Sequence, residues 1–513
     1  MDKNMAKSNN PSRKNSEGTG IGIKITLIAV AVLCVLALVY AIVSGTGILA
    51  RSTTAMTVGK DNISAAELKQ FYADTRASFM NSNGYYLQMY GYDVSSAAFD
   101  AQSCLFDSSK TWKEYFLEQA ENTAQQVSIL YQRAKEQGMT ISETRQQEVD
   151  DFMVNIQEAA DSYGYSLSKY ISLAFGSGIR KSDVDAYRAK RALASTYYDS
   201  LLEGFGITDA DIDAYYEENK DSYDVADYYA YEVNYETFTY DASNTEEGAP
   251  TSEEDAQAKT TASKKEAEKT ANAIYAALAA DGSNFDEAVL ANIDNSDEGF
   301  ETALYENSKI SGLSGASGDW LKDAGRKNGD ATLVEDEDNK CYTVCLFLDR
   351  HVSEDYTVAI RHILFKTQTA ASDADEATIA EIDAANEEVK AKAEQVYEQW
   401  KSGEKTEDYF AALAKEYSED GSASDGGLYE GVYPGQMVTE FNDWCFDAAR
   451  QPGDTDIVKT SYGYHIMYFV EREGLKYRSD ITSTIESDRF DAWLEEQKTS
   501  TATTYNKKGL MLL

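Results

Sequence analysis

Val358-Ala-Ile-Arg-His-Ile-Leu-Phe365 and Tyr462-Gly-Tyr-His-Ile-Met-Tyr-Phe-Val470 each carry one histidine, His362 and His465, in a 513-residue chain that has only three. Both are rich in β-branched and aromatic residues and read as strands. Between them lies Phe410-Ala-Ala-Leu-Ala-Lys-Glu-Tyr-Ser-Glu-Asp420, which reads as a helix. A glycine-rich loop, Gly421 to Gly427, and the segment Gly435-Gln-Met-Val-Thr-Glu-Phe441 follow. Met437 and Phe441 are four residues apart, so on a helix they would share a face. The block from about Tyr356 to Arg472 is therefore expected to be one α+β unit, with a histidine-bearing strand near each end.

This order of motifs resembles the parvulin family of peptidyl-prolyl isomerases, over roughly the last quarter of the chain before the tail. The resemblance implies a central antiparallel sheet with surrounding helices, prolyl cis–trans isomerase activity and no cofactor. Rotation about a peptide bond meets a barrier of roughly 18–20 kcal/mol, and both isomers are commonly populated only at Xaa-Pro. No bond breaks, so neither nucleophile nor metal is required; the site must grip the ring and favour the twisted amide. The resemblance assigns His362, Asp420 and His465 to the catalytic centre, and Met437 and Phe441 to the proline pocket. It also brings Gln436, Tyr429 and Tyr462 to the substrate. Asp420 either polarises the amide or anchors the histidines. Plainer readings stand beside these: a satisfied buried histidine pair, ordinary core at Met437 and Phe441, and a turn-capping Asp420. Where many parvulins read Gly-Gly-Asp-Leu-Gly, this chain has Gly426-Gly-Leu-Tyr-Glu430. Tyr429 thus takes the usual Leu position, and Tyr462 replaces a small hydroxyl residue of some relatives.

The length predicts about three domains. A formal net charge of −41 argues against nucleic-acid partners, because phosphate contacts need Lys and Arg. Residues 25–43 are apolar apart from Thr26 and Tyr40, long enough to span a bilayer core of about 30 Å. Five basic residues (Lys3, Lys7, Arg13, Lys14, Lys24) against two acidic ones (Asp2, Glu17) precede them, a net of +3. The positive-inside rule places a cytoplasmic tail at 1–24, an uncleaved single-pass anchor at 25–43 and the bulk of the chain outside the cell membrane. Cys341 and Cys345 are four apart on an apparent strand, about 13 Å, too far for a disulfide. No Cys/His spacing suits zinc or thiol-redox chemistry.

After a strand-like piece, Ala55 to Ser64, helical patterns run to about Tyr223. Ser64 and Glu67 read as a capping box, Trp112 to Gln137 as a helix with Gly138 as its C-cap, and Ser479 to Lys498 as an amphipathic helix carrying Ile481, Ile485, Phe490 and Trp493. This arrangement is similar to that of PrsA- and SurA-like foldases. It implies a helical chaperone domain at 55–225, completed by a C-terminal helix within 475–513, and unfolded or newly secreted polypeptides as clients. Residues 226–352 echo the parvulin unit at 355–474. Asp319 to Asp330 matches Asp443 to Asp454 without a gap, and Tyr342 to Arg350 parallels Tyr464 to Arg472. In that register Thr343 replaces His465, Leu313 replaces Met437 and Ser317 replaces Phe441. The first copy is expected to be a degenerate parvulin-like unit. In the second, Ile379, Ile382, Val389, Ala393, Val396 and Trp400 form one apolar helical stripe expected to face the core. The competing reading is a non-catalytic holdase whose parvulin-like units only bind peptide. The sequence leaves the oligomeric state open.

Overall fold

A computed structural model describes residues 47–513 except 95, 97, 245, 280, 294–299, 301 and 373. The expected anchor at 25–43 lies outside the described residues, among which no helix is long and apolar enough to cross a membrane. The architecture is α+β with antiparallel sheets, in two compact units.

The first unit takes the described residues up to Gly206 together with Glu486–Leu513. The strand-like piece after residue 53 is a hairpin, β1 (Thr54–Val58) and β2 (Asp61–Ser64), turning at Gly59 with φ of 56°. Thr503–Tyr505 pairs with the other edge of β1. Helices Ala65–Met89, Trp112–Glu136, Glu143–Ser162 and Lys181–Gly204 build the rest around Leu68, Phe71, Ala124, Leu130, Val184 and Tyr187. Phe490 and Leu494, on the helix Lys476–Ser500, join this core.

Gly138, at φ 69°, ends the Trp112–Glu136 helix as its sequence suggests. The expected box at Ser64 forms only by half. The Ser64 hydroxyl accepts from Glu67 N (3.1 Å), but the Glu67 carboxylate turns to the mostly buried Lys190 ammonium at 2.6 Å. An ammonium in that setting needs carboxylates more than a helix end needs a second cap. Complete boxes form elsewhere, at Thr111 with Glu114 and at Thr208 with Asp211.

The second unit is Ile207–Ile485. Helical structure expected to belong with the first unit as far as residue 225 joins this one, because Ile212 packs on Ile481 and Ile485. Strands β3 (Asp224–Asn234), β4 (Leu304–Lys309), β5 (Ala331–Asp336) and β6 (Cys341–Val352) form a sheet of order β4-β3-β6-β5. Strands β7 (Tyr356–Lys366), β8 (Leu428–Val432), β9 (Thr455–Lys459) and β10 (Gly463–Leu475) repeat it as β8-β7-β10-β9. Local geometry repeats as well. Arg326 Nε donates to the Trp320 carbonyl at 2.9 Å and stacks on that indole; Arg450 and Trp444 do the same at 3.0 Å. The cysteines at 104, 341, 345 and 445 are buried and unpaired.

Strand alternation divides the β7–β10 sheet into two faces. Ile363, Phe365, Ile466 and Tyr468 pack on Ala393, Val396, Trp400, Phe410 and Leu413. Val358, Ile360, Met467 and Phe469 pack on Val432, Phe441, Trp444 and Cys445. The long helix Glu376–Ser402 buries only the C-terminal part of its stripe; Ile379 is exposed. At about 40 Å the helix outruns the sheet it covers, so the expectation of a wholly core-facing stripe fails at its N-terminal end.

Candidate active site

The two strands carrying the histidines are the central pair of their sheet. His362 lies opposite Met467, and His465 opposite Leu364, so the imidazoles are diagonal neighbours on one face. Both are nearly inaccessible, at 2% and 5% exposure. Their Nδ1 atoms are 3.1 Å apart, His465 Nε2 is 2.9 Å from Thr460 Oγ1, and His362 Nε2 is 3.2 Å from Asp420 Oδ1. One proton order satisfies the whole series: His362 Nε2–H donates to Asp420, His465 Nδ1–H donates to His362 Nδ1, and Thr460 O–H donates to His465 Nε2. Each imidazole then holds a single proton and is neutral. Burial and the neighbouring imidazole push His465 down to about 4.

Asp420 follows the helix Glu407–Tyr417 rather than ending it, and its carboxylate caps the tight turn Gly421–Asp425. Its Oδ1 accepts from Ser422 N (2.9 Å), Ser422 Oγ (2.6 Å) and Tyr429 OH (2.9 Å) as well as from His362. Led by the His362 contact, the His362 and Ser422 donors hold the carboxyl far below the usual range. Burial, with the Asp420 bond behind it, pushes the Tyr429 phenol up to about 12, so it remains a donor.

Phe441 stands edge-on to both imidazoles, at centroid distances of 5.5 and 5.3 Å, and Tyr429 lies 5.0 Å from His362. Met437 packs in the same apolar cluster. Met437 and Phe441 do not share a helical face: the helix is Thr439–Phe446, and Met437 lies before it. The structure thus brings together His362, Asp420, His465, Tyr429, Phe441 and Met437.

Two expected substrate contacts stand apart from this cluster. Tyr462 is 62% exposed at the β9–β10 turn. The exposed Gln436 spends its side-chain oxygen on Tyr433 N (3.1 Å), closing a turn. Ser422 and Thr460 complete the network and were not among the expected site residues. Asp-x-Ser at 420–422 is a legible turn signal. Thr460 gives no sequence cue beyond its place at a strand end; only the cross-strand diagonal puts its hydroxyl on His465.

A family model for the PPIC-type PPIase domain, or rotamase, matches residues 362–471, which span both histidines and everything between them. Residues 362–471 are a rotamase domain. Foldase protein PrsA 3 of Bacillus anthracis is 40% identical over 99 residues, 19% of this chain and 32% of that protein. Foldase protein PrsA of Bacillus subtilis is 35% identical over 164 residues, 29% of this chain and 53% of that protein. The chain therefore spans between about a third and about half the length of these curated relatives. A solved peptidylprolyl isomerase (PrsA) from Bacillus cereus shares 29% identity over 28% of this chain and 48% of its own, with a TM-score of 0.18.

The rotamase domain's histidine pair has a measurable pH signature. In the unfolded chain His465 titrates near 6.5; in the fold it titrates near 4. Between these values the unfolded state binds the extra proton, so stability rises with pH. The contribution is complete above about pH 6.5 and falls away as pH drops through about 4, at most roughly 3 kcal/mol. With only three histidines in the chain, their ring protons can be followed by NMR. The His465 signal should stay flat down to about pH 5, and a midpoint near 6.5 would contradict the neutral pair.

Proposed function

We propose that the chain is a peptidyl-prolyl cis–trans isomerase and chaperone, tethered by residues 25–43 and working on newly secreted polypeptides outside the cytoplasmic membrane. The observation that carries this reading is the buried Asp420–His362–His465–Thr460 network lying against Phe441 inside a rotamase domain. The apolar wall of Phe441 and Met437 beside the imidazoles suits the twisted amide, which has lost C–N conjugation and much of its polarity. Asp420 anchors the first imidazole, Phe441 and Met437 receive the proline ring, and the chain's own groups need only bind and exclude water.

The first unit supports the chaperone part. It exposes Tyr85, Tyr86, Met89, Tyr90 and Phe106, each at least 60% accessible, an apolar display suited to unfolded clients. It also holds a groove of about 680 Å³ walled in part by Phe71, Phe79, Tyr115 and Phe116. The β3–β6 sheet serves as a spacer or binding unit in this reading. There Thr343 occupies the position of His465, and the partner of Cys345 across the sheet is Ala230 where Met467 faces His362.

The test is acceleration of Xaa-Pro isomerisation in model peptides by the protein and by its Met437→Ala variant. Activity in the parent, reduced about tenfold in the variant at little cost in stability, is the expected outcome. No acceleration by a folded protein that still binds the peptides would make it a holdase built on a silent rotamase domain.

A further inference from the structure

All four donors on Asp420 converge on one oxygen: His362 Nε2, Ser422 N, Ser422 Oγ and Tyr429 OH contact Oδ1. Oδ2 accepts from no described residue, and the side chain keeps 19% of its surface exposed. Tyr429 is one of these donors, so it helps fix which oxygen is tied down and which is left over.

The cluster's own side chains include no lysine or arginine, and the Lys459 ammonium, which helps depress His465, is held by Thr367 Oγ1 (2.9 Å) and stands over the Tyr464 ring. The histidine pair is satisfied in its neutral form, and Phe441 and Met437 are apolar. The guanidinium of Arg361, next to His362 on β7, is committed to Glu407 (2.8 Å) and to the carbonyls of Asp425 and Gly426 (2.8 and 3.1 Å). A peptide entering the site therefore meets one fixed negative charge with a free acceptor, on a protein whose formal net charge is −41.

We infer that Asp420 Oδ2 sets the substrate preference of this site, favouring Xaa-Pro segments with a lysine or arginine next to the proline and rejecting those with a glutamate or aspartate there. The inference rests on the isomerase reading for its kinetic test and on geometry for its binding test. A unit charge at a separation of about 6 Å in a half-solvated setting changes affinity by roughly tenfold in either direction.

The experiment uses the whole protein and Lys-Pro, Ala-Pro and Glu-Pro versions of one peptide, with isomerisation read by exchange NMR at low and high salt. The parent should turn over Lys-Pro at least tenfold faster than Glu-Pro in kcat/KM, with the gap narrowing as salt rises. Asp420→Asn keeps an oxygen for the four donors and removes the charge, so it should bring the Lys/Glu ratio to within about twofold of one. Because the ratio is the readout, a general loss of rate does not imitate the effect. A parent ratio at or below one, or a ratio unchanged in Asp420→Asn, would overturn the inference. If no peptide were isomerised, the isomerase reading would fail by itself. Fluorescence anisotropy of the labelled peptides would then decide the preference: Lys-Pro binding tighter than Glu-Pro in the parent but not in Asp420→Asn upholds it, and equal or reversed affinities overturn it.

Discussion

Gly427→Ala is expected to destabilise the rotamase domain by about 4 kcal/mol or more and to abolish its activity. Gly427 sits at φ 73°, and a Cβ there would lie 2.1 Å from the His362 carbonyl oxygen and 3.1 Å from the Ala414 methyl. The left-handed backbone alone costs an alanine roughly 1–2 kcal/mol. The overlap with a strand carbonyl adds more, because it is relieved only by moving β7 or the loop. Either movement breaks the bond from His362 N to the Gly427 carbonyl (2.9 Å), which seats β7 against the Gly421–Gly427 loop. A loss of that size is rare for one residue and unfolds many domains. Gly431→Ala is the matched control. Gly431 also has positive φ, 66°, but a Cβ there meets nothing within 4 Å, so only the backbone cost of roughly 1–2 kcal/mol remains. Thermal melts of the two variants should separate clearly; equal losses would show that crowding against His362 is not the cause.

Asp420→Ala is expected to lower kcat/KM for a neutral Ala-Pro peptide by about 100-fold while the domain stays folded. The substitution strands the Ser422 N–H and hydroxyl, the Tyr429 phenol and the His362 Nε2–H. Partial exposure lets water satisfy some of them, which limits the stability loss to a few kcal/mol. His362 gets little such relief: at 2% exposure it has lost the carboxylate that fixes its proton order and keeps only the Ser422 hydroxyl, 3.4 Å from Nε2. The imidazole pair should then rearrange, and Phe441, edge-on to both rings, with it. Asp420→Asn separates two roles for the carboxylate. If anchoring is what matters, Asn retains most of the Ala-Pro rate; if charge polarises the amide, Asn falls nearly as far as Ala. Normal Ala-Pro turnover in Asp420→Ala would remove Asp420 from the mechanism altogether.

Much of the site was legible in the chain itself. A histidine within each of two strand-like runs, a glycine loop between them and the Met437 to Phe441 segment pointed to one α+β unit, because strand alternation and turn chemistry are local properties. The repeat was legible for the same reason: Trp320 with Arg326 and Trp444 with Arg450 mark one turn used twice, at matched positions in two sheets of the same strand order. What misled was also local. Tyr462 and Gln436 lie near the right residues in sequence, yet one points to solvent and the other closes its own turn. Helical spacing joined Met437 to Phe441, but Val438 is the N-cap, so the two meet through packing rather than along a helix face.

The sequence by itself determined which residues alternate inward on two strands, where the chain must turn through glycine, and which side chains have chemistry to offer. The tertiary structure decided their pairing: the diagonal that brings His362 Nδ1 to His465 Nδ1, the hydroxyl of Thr460 behind them, and the convergence of four donors on a single oxygen of Asp420. Periodicity assigns a side chain to a face, whereas hydrogen bonds between residues 60 or 103 positions apart depend on strand register and loop closure, which no local pattern encodes.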